Sequence, residues 1–314
     1  RHDLVSDGYI VLTTINGSLT LNDGDSDTFA VTAASDILLV TGEANEPSED
    51  NADDLVLNAT VRSTTGNISL AAADNVTQNA AGHLVTVAAG RTIDVLAGSA
   101  IAMNLTATTT TNNGAIRYEA ATGNITVGTL NAGAANVALI ATVGSILDLD
   151  DAYTADVNAN ALLLIAGTDI GTALNHLEIN VATLAARAGG ANGMFIDEAL
   201  TLRIDAVTVA IDRVAADNTT SAVSNSLTDL NATAAGSIVV TVGGTLTVSD
   251  GGDTSGIAVQ VATTGNIRLQ AIGDLVFETN ADVISGTGHI TLLAANDITI
   301  NAGADVTTGG TGTI

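Results

Sequence analysis

The sequence predicts an all-β chain wound as a parallel β-helix, a β-solenoid with about three short strands per coil of roughly 24 residues and with loop insertions. The first observation is a recurring phrase: a small residue, a polar one, an aliphatic, then an alternating pair. It reads Gly66-Asn67-Ile68-Ser69-Leu70, Thr92-Ile93-Asp94-Val95, Gly114-Ala115-Ile116-Arg117-Tyr118, Gly123-Asn124-Ile125-Thr126-Val127 and Gly144-Ser145-Ile146. The second is the alternation of apolar and polar residues inside each phrase, which is strand periodicity and not helical periodicity. The third is spacing. A second aliphatic follows each leading one by about eight residues, at Val76, Ile101 and Ile125, as strand, corner and strand in succession require.

In chain order, strands are expected near Tyr9–Thr14, Ser18–Leu21, Phe29–Thr32 and Ile37–Val40, with an acidic turn from Asn22 to Asp27 between them. Residues 42–54 hold the only Pro of the chain, Pro47, among Glu43, Glu46, Glu49, Asp50, Asp53 and Asp54, and read as a solvated loop leaving the coil. From Leu55 to Leu149 the repeat is most regular, with Ser69, Arg117 and Thr126 at outward positions; Thr108–Thr111 with Asn112-Asn113 is a polar corner or an outward strand. Residues 148–156 interrupt the phase with Asp148, Asp150, Asp151 and Asp156, a second acidic loop.

Residues 157–235 are less regular. Leu174, Leu177, Val181 and Leu184 have helical spacing, but Leu177, Ile179 and Val181 alternate, and strand is favoured because Leu200–Ile204 and Val207–Ile211 alternate nearby. Asp217–Asn225 reads as a Ser/Thr/Asn loop. The phrase then returns in pairs, Ile238 with Leu246, Ile267 with Leu275 and Ile290 with Ile298, which places both halves in one continuous solenoid spanning 1–314.

Length and composition agree. At 314 residues the chain holds about a dozen coils, and a solenoid is not limited by a spherical core. Aromatic residues are 2% of the chain, as a narrow coil interior filled by Ile, Val, Leu and Ala requires. The formal charge is −26, and all 8 basic residues are Arg. That balance excludes nucleic acid and anionic membrane surfaces as partners, since both need a basic face. There is no Cys, hence no disulfide framework. The longest apolar run, Ala161–Ala166, is strand-sized, so no membrane insertion is expected. Tyr9–Leu12 and Gly310–Ile314 carry the phrase to both ends without polar caps, which leads to the expectation of a segment of a longer protein or a subunit whose ends neighbours cover.

The residues Thr65-Gly66-Asn67-Ile68-Ser69-Leu70-Ala71-Ala72-Ala73-Asp74-Asn75-Val76, Thr264-Gly265-Asn266-Ile267-Arg268-Leu269, and Ile170–Leu174 leading to Leu184–Ala188 resemble repeats of filamentous haemagglutinin-like proteins. The resemblance implies a right-handed parallel β-helix and a bacterial surface or secreted adhesin.

Calcium is the one cofactor the residues suggest. Asn22, Asp23, Asp25 and Asp27 place oxygen ligands around Gly24, and Asp148, Asp150, Asp151 and Asp156 form a second set, with Asp250 and Asp253 a weaker third. The alternative for each is a soluble acidic corner. No catalytic residue is assigned: Lys is absent, His2, His83, His176 and His289 are scattered, and no spacing singles out an acid–base pair. Sequons such as Asn58, Asn67 and Asn75 fall at strand entrances, where Asn side chains are expected to bond along corner ladders. The expected function is an extracellular structural or adhesive solenoid that associates with itself or continues into further repeats, with a host-surface or glycan ligand as a candidate partner. The rivals are a calcium-dependent polysaccharide-active enzyme and a specific adhesin whose loops 42–54 and 148–156 bind.

Overall fold

The computed structural model describes residues 3–42, 53–150 and 154–314. They are all-β, without helix, and parallel stacked strands form a β-solenoid of about 12 turns. Most of the acidic loop 42–54, and Asp151, lie outside the described residues. The rest falls into two compact units, one of residues up to 143 with 209–225, the other of 144–208 with 226–314.

The first unit contains three parallel ladders. In the first, strands Ile10–Thr14, Ile37–Thr41, Ile68–Ala72, Ile93–Ala97, Ile116–Ala120 and Asn136–Ala141 stack with Ile10, Ile37, Ile68, Ile93, Ile116 and Val137 in register. In the second, Leu19, Leu55, Val76, Ile101 and Ile125 are aligned. The third aligns Leu4, Val31, Val61, Leu84, Thr109 and Leu130. The two leading aliphatics of each repeat therefore head adjacent ladders. From Ile37 to Val137, every aliphatic in the first register is fully buried. Each such side chain contributes on the order of 1.5–3 kcal/mol by leaving water.

The segment Thr108–Asn112 is a ladder strand whose Thr109 points inward. Its hydroxyl accepts from Gln78 Nε2 at 3.3 Å and lies 2.6 Å from the Tyr118 hydroxyl, which donates to Gln78 Oε1 at 2.5 Å. This closed ring of three side chains lets a polar trio occupy an aliphatic interior without an orphaned group. Corner asparagines form the expected ladders: Asn58 Nδ2 donates to Asn22 Oδ1 at 2.8 Å, and Asn79 Nδ2 to Asn58 Oδ1 at 2.6 Å. At other corners Asn67 and Asn75 reach Asp36 and Asp54 of the preceding coil. Where coils touch most closely only Gly fits. A Cβ on Gly114 would meet the carbonyl oxygen of Arg91.

The reading of 207–225 is corrected. Val207–Val214 and Thr220–Leu227 pair as a two-stranded sheet of their own, so the alternating segment leaves the coil and the Ser/Thr/Asn segment is its second strand, not a loop. Val209, Ile211 and Val214 bury one face of the hairpin. Asp212 N donates to Thr92 Oγ1 at 3.0 Å and Val214 N to Ser69 Oγ at 2.9 Å, so the hairpin lies over the outward side of the first ladder. That is why Ser69 and Arg117, outward as expected, are nevertheless buried.

In the second unit, the segment with mixed helical and strand spacing is the strand Leu177–Ala188, with Leu174 outside it and exposed. Val157–Ala166 pairs along it, Val157 with Ile179 and Leu162 with Leu184. Leu177–Ala188 then serves three ladders in turn, pairing with Gly193–Glu198, Leu202–Ile204 and Leu230–Ala232. Two long strands running past the corners account for the irregular spacing of this stretch. Beyond it the register is regular again: Met194, Ile238, Ile267 and Ile290 align, as do Leu202, Leu246, Leu275 and Ile298.

Candidate functional site

Among the described residues, two groups of carboxylates stand close enough to share an ion, one in each unit. In the first unit Asp3 joins Asp23, Asp25 and Asp27, all donor oxygens lying within 4.8 Å of one another. The group is largely exposed, and local backbone already occupies it. Asp23 Oδ1 accepts from Ser26 N at 2.6 Å and Asp25 N at 3.0 Å, Asp23 Oδ2 from Thr28 N at 3.1 Å, Asp27 Oδ1 from Phe29 N at 2.9 Å, and Asp3 Oδ1 from Gly24 N at 2.6 Å. The Ser26 bond foremost holds Asp23 below the usual carboxylate range. Ser26 and Thr28 have positive φ, 76° and 80°, which the Asp23 bonds hold in place. Asn22 Oδ1 accepts from Asn58 Nδ2 at 2.8 Å in the corner ladder.

In the second unit Asp148, Asp156 and Glu178 bring carboxylate oxygens within 4.8 Å of one another. Asp148 ends the strand Ile146–Asp148, Asp156 precedes the strand Val157–Ala166, and Glu178 lies in Leu177–Ala188. Asp156 N donates to Glu178 O at 2.8 Å, so neighbouring coils set the two acids side by side. Asp156 and Glu178 are buried and Asp148 is half-buried. Burial, with the charges of Asp148 and Glu178 behind it, pushes the Asp156 carboxyl up to about 8. Burial also raises Asp148, against the Asp150 and Leu149 amides it accepts. Asp150 is not one of the three; its backbone N–H donates to Asp148 Oδ2 at 3.2 Å.

Glu178 is the member the sequence did not offer. Its signal is spacing: it follows Asp156 by about one coil, so stacking sets them one above the other. A cavity of about 240 Å³ opens beside the group, lined by Ala155, Glu178, Ile179, Glu198, Ala199 and Thr241 among others. Burial pushes the Glu198 carboxyl up to about 7, although its oxygens accept from Val181 N at 2.8 Å and Leu200 N at 2.9 Å.

The weaker pair behaves as corners do: Asp250 accepts from Gly252 N at 3.0 Å and Asp253 from Ser255 N at 2.6 Å. The described histidines each serve a different contact. His83 Nδ1 accepts from Thr108 N at 3.1 Å, His176 Nδ1 lies 2.9 Å from Asp197 Oδ1, and His289 Nδ1 lies 2.8 Å from Thr313 Oγ1.

A third polar cluster is structural in placement. Asp94, fully buried in the first ladder, accepts from Arg117 Nη1 at 3.0 Å and from Arg213 Nε of the hairpin at 2.6 Å. Arg117 Nε donates to Asn225 Oδ1 at 2.8 Å, and its Nη2 bonds Glu119. Only the hairpin brings Arg213 and Asn225 to Asp94 and Arg117, residues far apart in sequence. No family model, curated protein or solved structure matches this chain.

Proposed function

We propose that this chain is a non-catalytic structural and adhesive β-solenoid of a bacterial surface or secreted protein, acting as a stalk, fibre or surface-layer component. The observation that carries the reading is the continuity of register within each unit, such as the line of Ile10, Ile37, Ile68, Ile93, Ile116 and Val137. Each coil gives main-chain hydrogen bonds and buried aliphatics to the next, so resistance to load accumulates repeat by repeat. The net charge of −26 keeps neighbouring copies apart at low salt.

The test is labelling of intact, unpermeabilised cells of the source organism with antibody raised against the folded chain, followed by a glycan panel with the same protein. Surface labelling is the expected outcome; labelling that appears only after lysis overturns the extracellular reading. One observation favours a second reading. The cavity beside Glu178 and Glu198 sets carboxylates against open volume, the arrangement a polysaccharide-cleaving enzyme uses. Release of reducing ends from acidic polysaccharides, lost in Glu198→Gln, would move the assignment there.

A further inference from the structure

We propose that Asp148, Asp156 and Glu178 form a calcium site. The assignment does not depend on whether the chain acts as a scaffold, because it rests on the geometry of one carboxylate group in one unit. Crowded carboxylates alone would not carry it, and the Asp3 and Asp23 group shows why. There the oxygens face solvent and are taken up by turn amides.

Asp156 is different in two respects. It is only 7% exposed, and its Oδ2 meets no hydrogen-bond donor among the described residues. No ion pair among the described residues reaches it. Ionised, a buried carboxylate oxygen with no donor, set against two further carboxylates, is strongly unfavourable; it must hold a proton or meet a cation, and a cation bound between the three carboxylates displaces that proton.

The chemistry of the donor set selects the ion. Three hard carboxylate oxygens and no sulfur or imidazole at the centre suit an alkaline-earth cation. One oxygen from each of the three carboxylates lies within 4.8 Å of the others, close enough to share a single ion. The side chains hang from backbones fixed by coil-to-coil bonds, Asp156 N to Glu178 O at 2.8 Å among them, which suits the irregular geometry calcium accepts better than the near-ideal octahedron magnesium demands. The adjoining cavity leaves room for the waters that complete six to eight oxygen ligands.

The experiment uses the whole chain, stripped with a chelator and titrated with calcium chloride and, separately, magnesium chloride by isothermal calorimetry, with melting temperatures recorded in parallel. Saturable calcium binding at this site is expected, with magnesium at least about tenfold weaker. Asp156→Asn and Glu178→Gln should each weaken calcium binding about tenfold or more, and Asp25→Asn should change it less than about twofold. A fold-independent signature comes from stability. Without calcium, Asp156→Asn removes a buried acid crowded by two others and should melt at or above the unaltered chain; with calcium the order should reverse. Absence of calcium heat up to millimolar concentration, binding that survives both Asp156→Asn and Glu178→Gln, or binding abolished by Asp25→Asn would each overturn the site.

Discussion

Replacing Asp94 with Ala tests how the hairpin is held. Asp94 is fully buried and is the acceptor shared by Arg117 and Arg213. Removing it leaves Arg117, itself buried, with Asn225 and Glu119 but without its central counter-charge. Truncating one member of a buried ion cluster costs about 3–5 kcal/mol because a charge is left in low dielectric. The chain has one cheap escape, which is to lift the hairpin and let water reach the guanidinium. The cost should therefore appear as local opening of 209–225 and not as loss of the ladders beneath. Hydrogen exchange reads this directly at two amides, Asp212 N and Val214 N, which donate to Thr92 and Ser69 in the covered ladder. An opening made easier by about 3 kcal/mol speeds exchange at both by more than about a hundredfold. Arg213→Ala, which leaves the Asp94–Arg117 pair intact, should speed them only about tenfold. Combining Asp94→Leu with Arg117→Met, which fills the volume without charge, should return exchange close to the starting rate. If Asp94→Ala leaves both amides within about threefold of their original rates in a folded chain, the hairpin is held by its apolar face alone and not by the buried charge cluster.

Three further outcomes follow from the same structure. Gly114→Ala should destabilise the first unit by several kcal/mol, about 3 or more, because its Cβ would collide with the Arg91 carbonyl in rigid backbone; an unchanged urea midpoint would show that the coils can separate. Tyr118→Phe should cost about 1–3 kcal/mol in the same measurement by breaking the ring with Gln78 and Thr109, while a neutral result would mean Gln78 and Thr109 satisfy each other. Asp229 concerns pH: burial raises its carboxyl to about 7 in the folded chain, against 3.8 unperturbed. The folded state thus holds a proton that the unfolded state has released, so the stability this group contributes is complete below about pH 4 and is lost as pH rises through about 7. Asp229→Asn, which also tolerates the φ of +65°, should remove that loss and stabilise the chain at pH 8 by about 1–2 kcal/mol after allowance for solvent screening. Identical pH dependence of the urea midpoint in both proteins would refute the assignment.

The parallel coil was legible in the sequence because its causes are local and repeated. Inward aliphatics must recur at every coil, and Gly or Asn must recur where one coil's corner meets the next, so Ile68, Ile93 and Ile116 announce their own register. The Asn58 and Asn67 ladders were legible for the same reason, since stacking turns a repeated residue into a column of neighbours. The acidic turn at Asp23 was visible as a cluster, though not that its oxygens are occupied by amides several residues on.

What breaks the period was not legible. Val207–Ile211 alternates like any coil strand, and nothing local says that it leaves the ladder, pairs with Thr220–Leu227 and buries Asp94, because that choice depends on which outward face lies bare. Likewise Asp148 and Asp156 could be picked out as acids, but their third partner had to come from an adjacent coil. Glu178 looks in sequence like an ordinary outward residue of a strand. The amino-acid sequence by itself determined the class of fold, its period and its buried column, all products of short-range alternation and identical repeats. Only the tertiary structure decided which carboxylates share a centre and which outward face is covered, because burial and charge proximity are properties of chain segments brought together across coils.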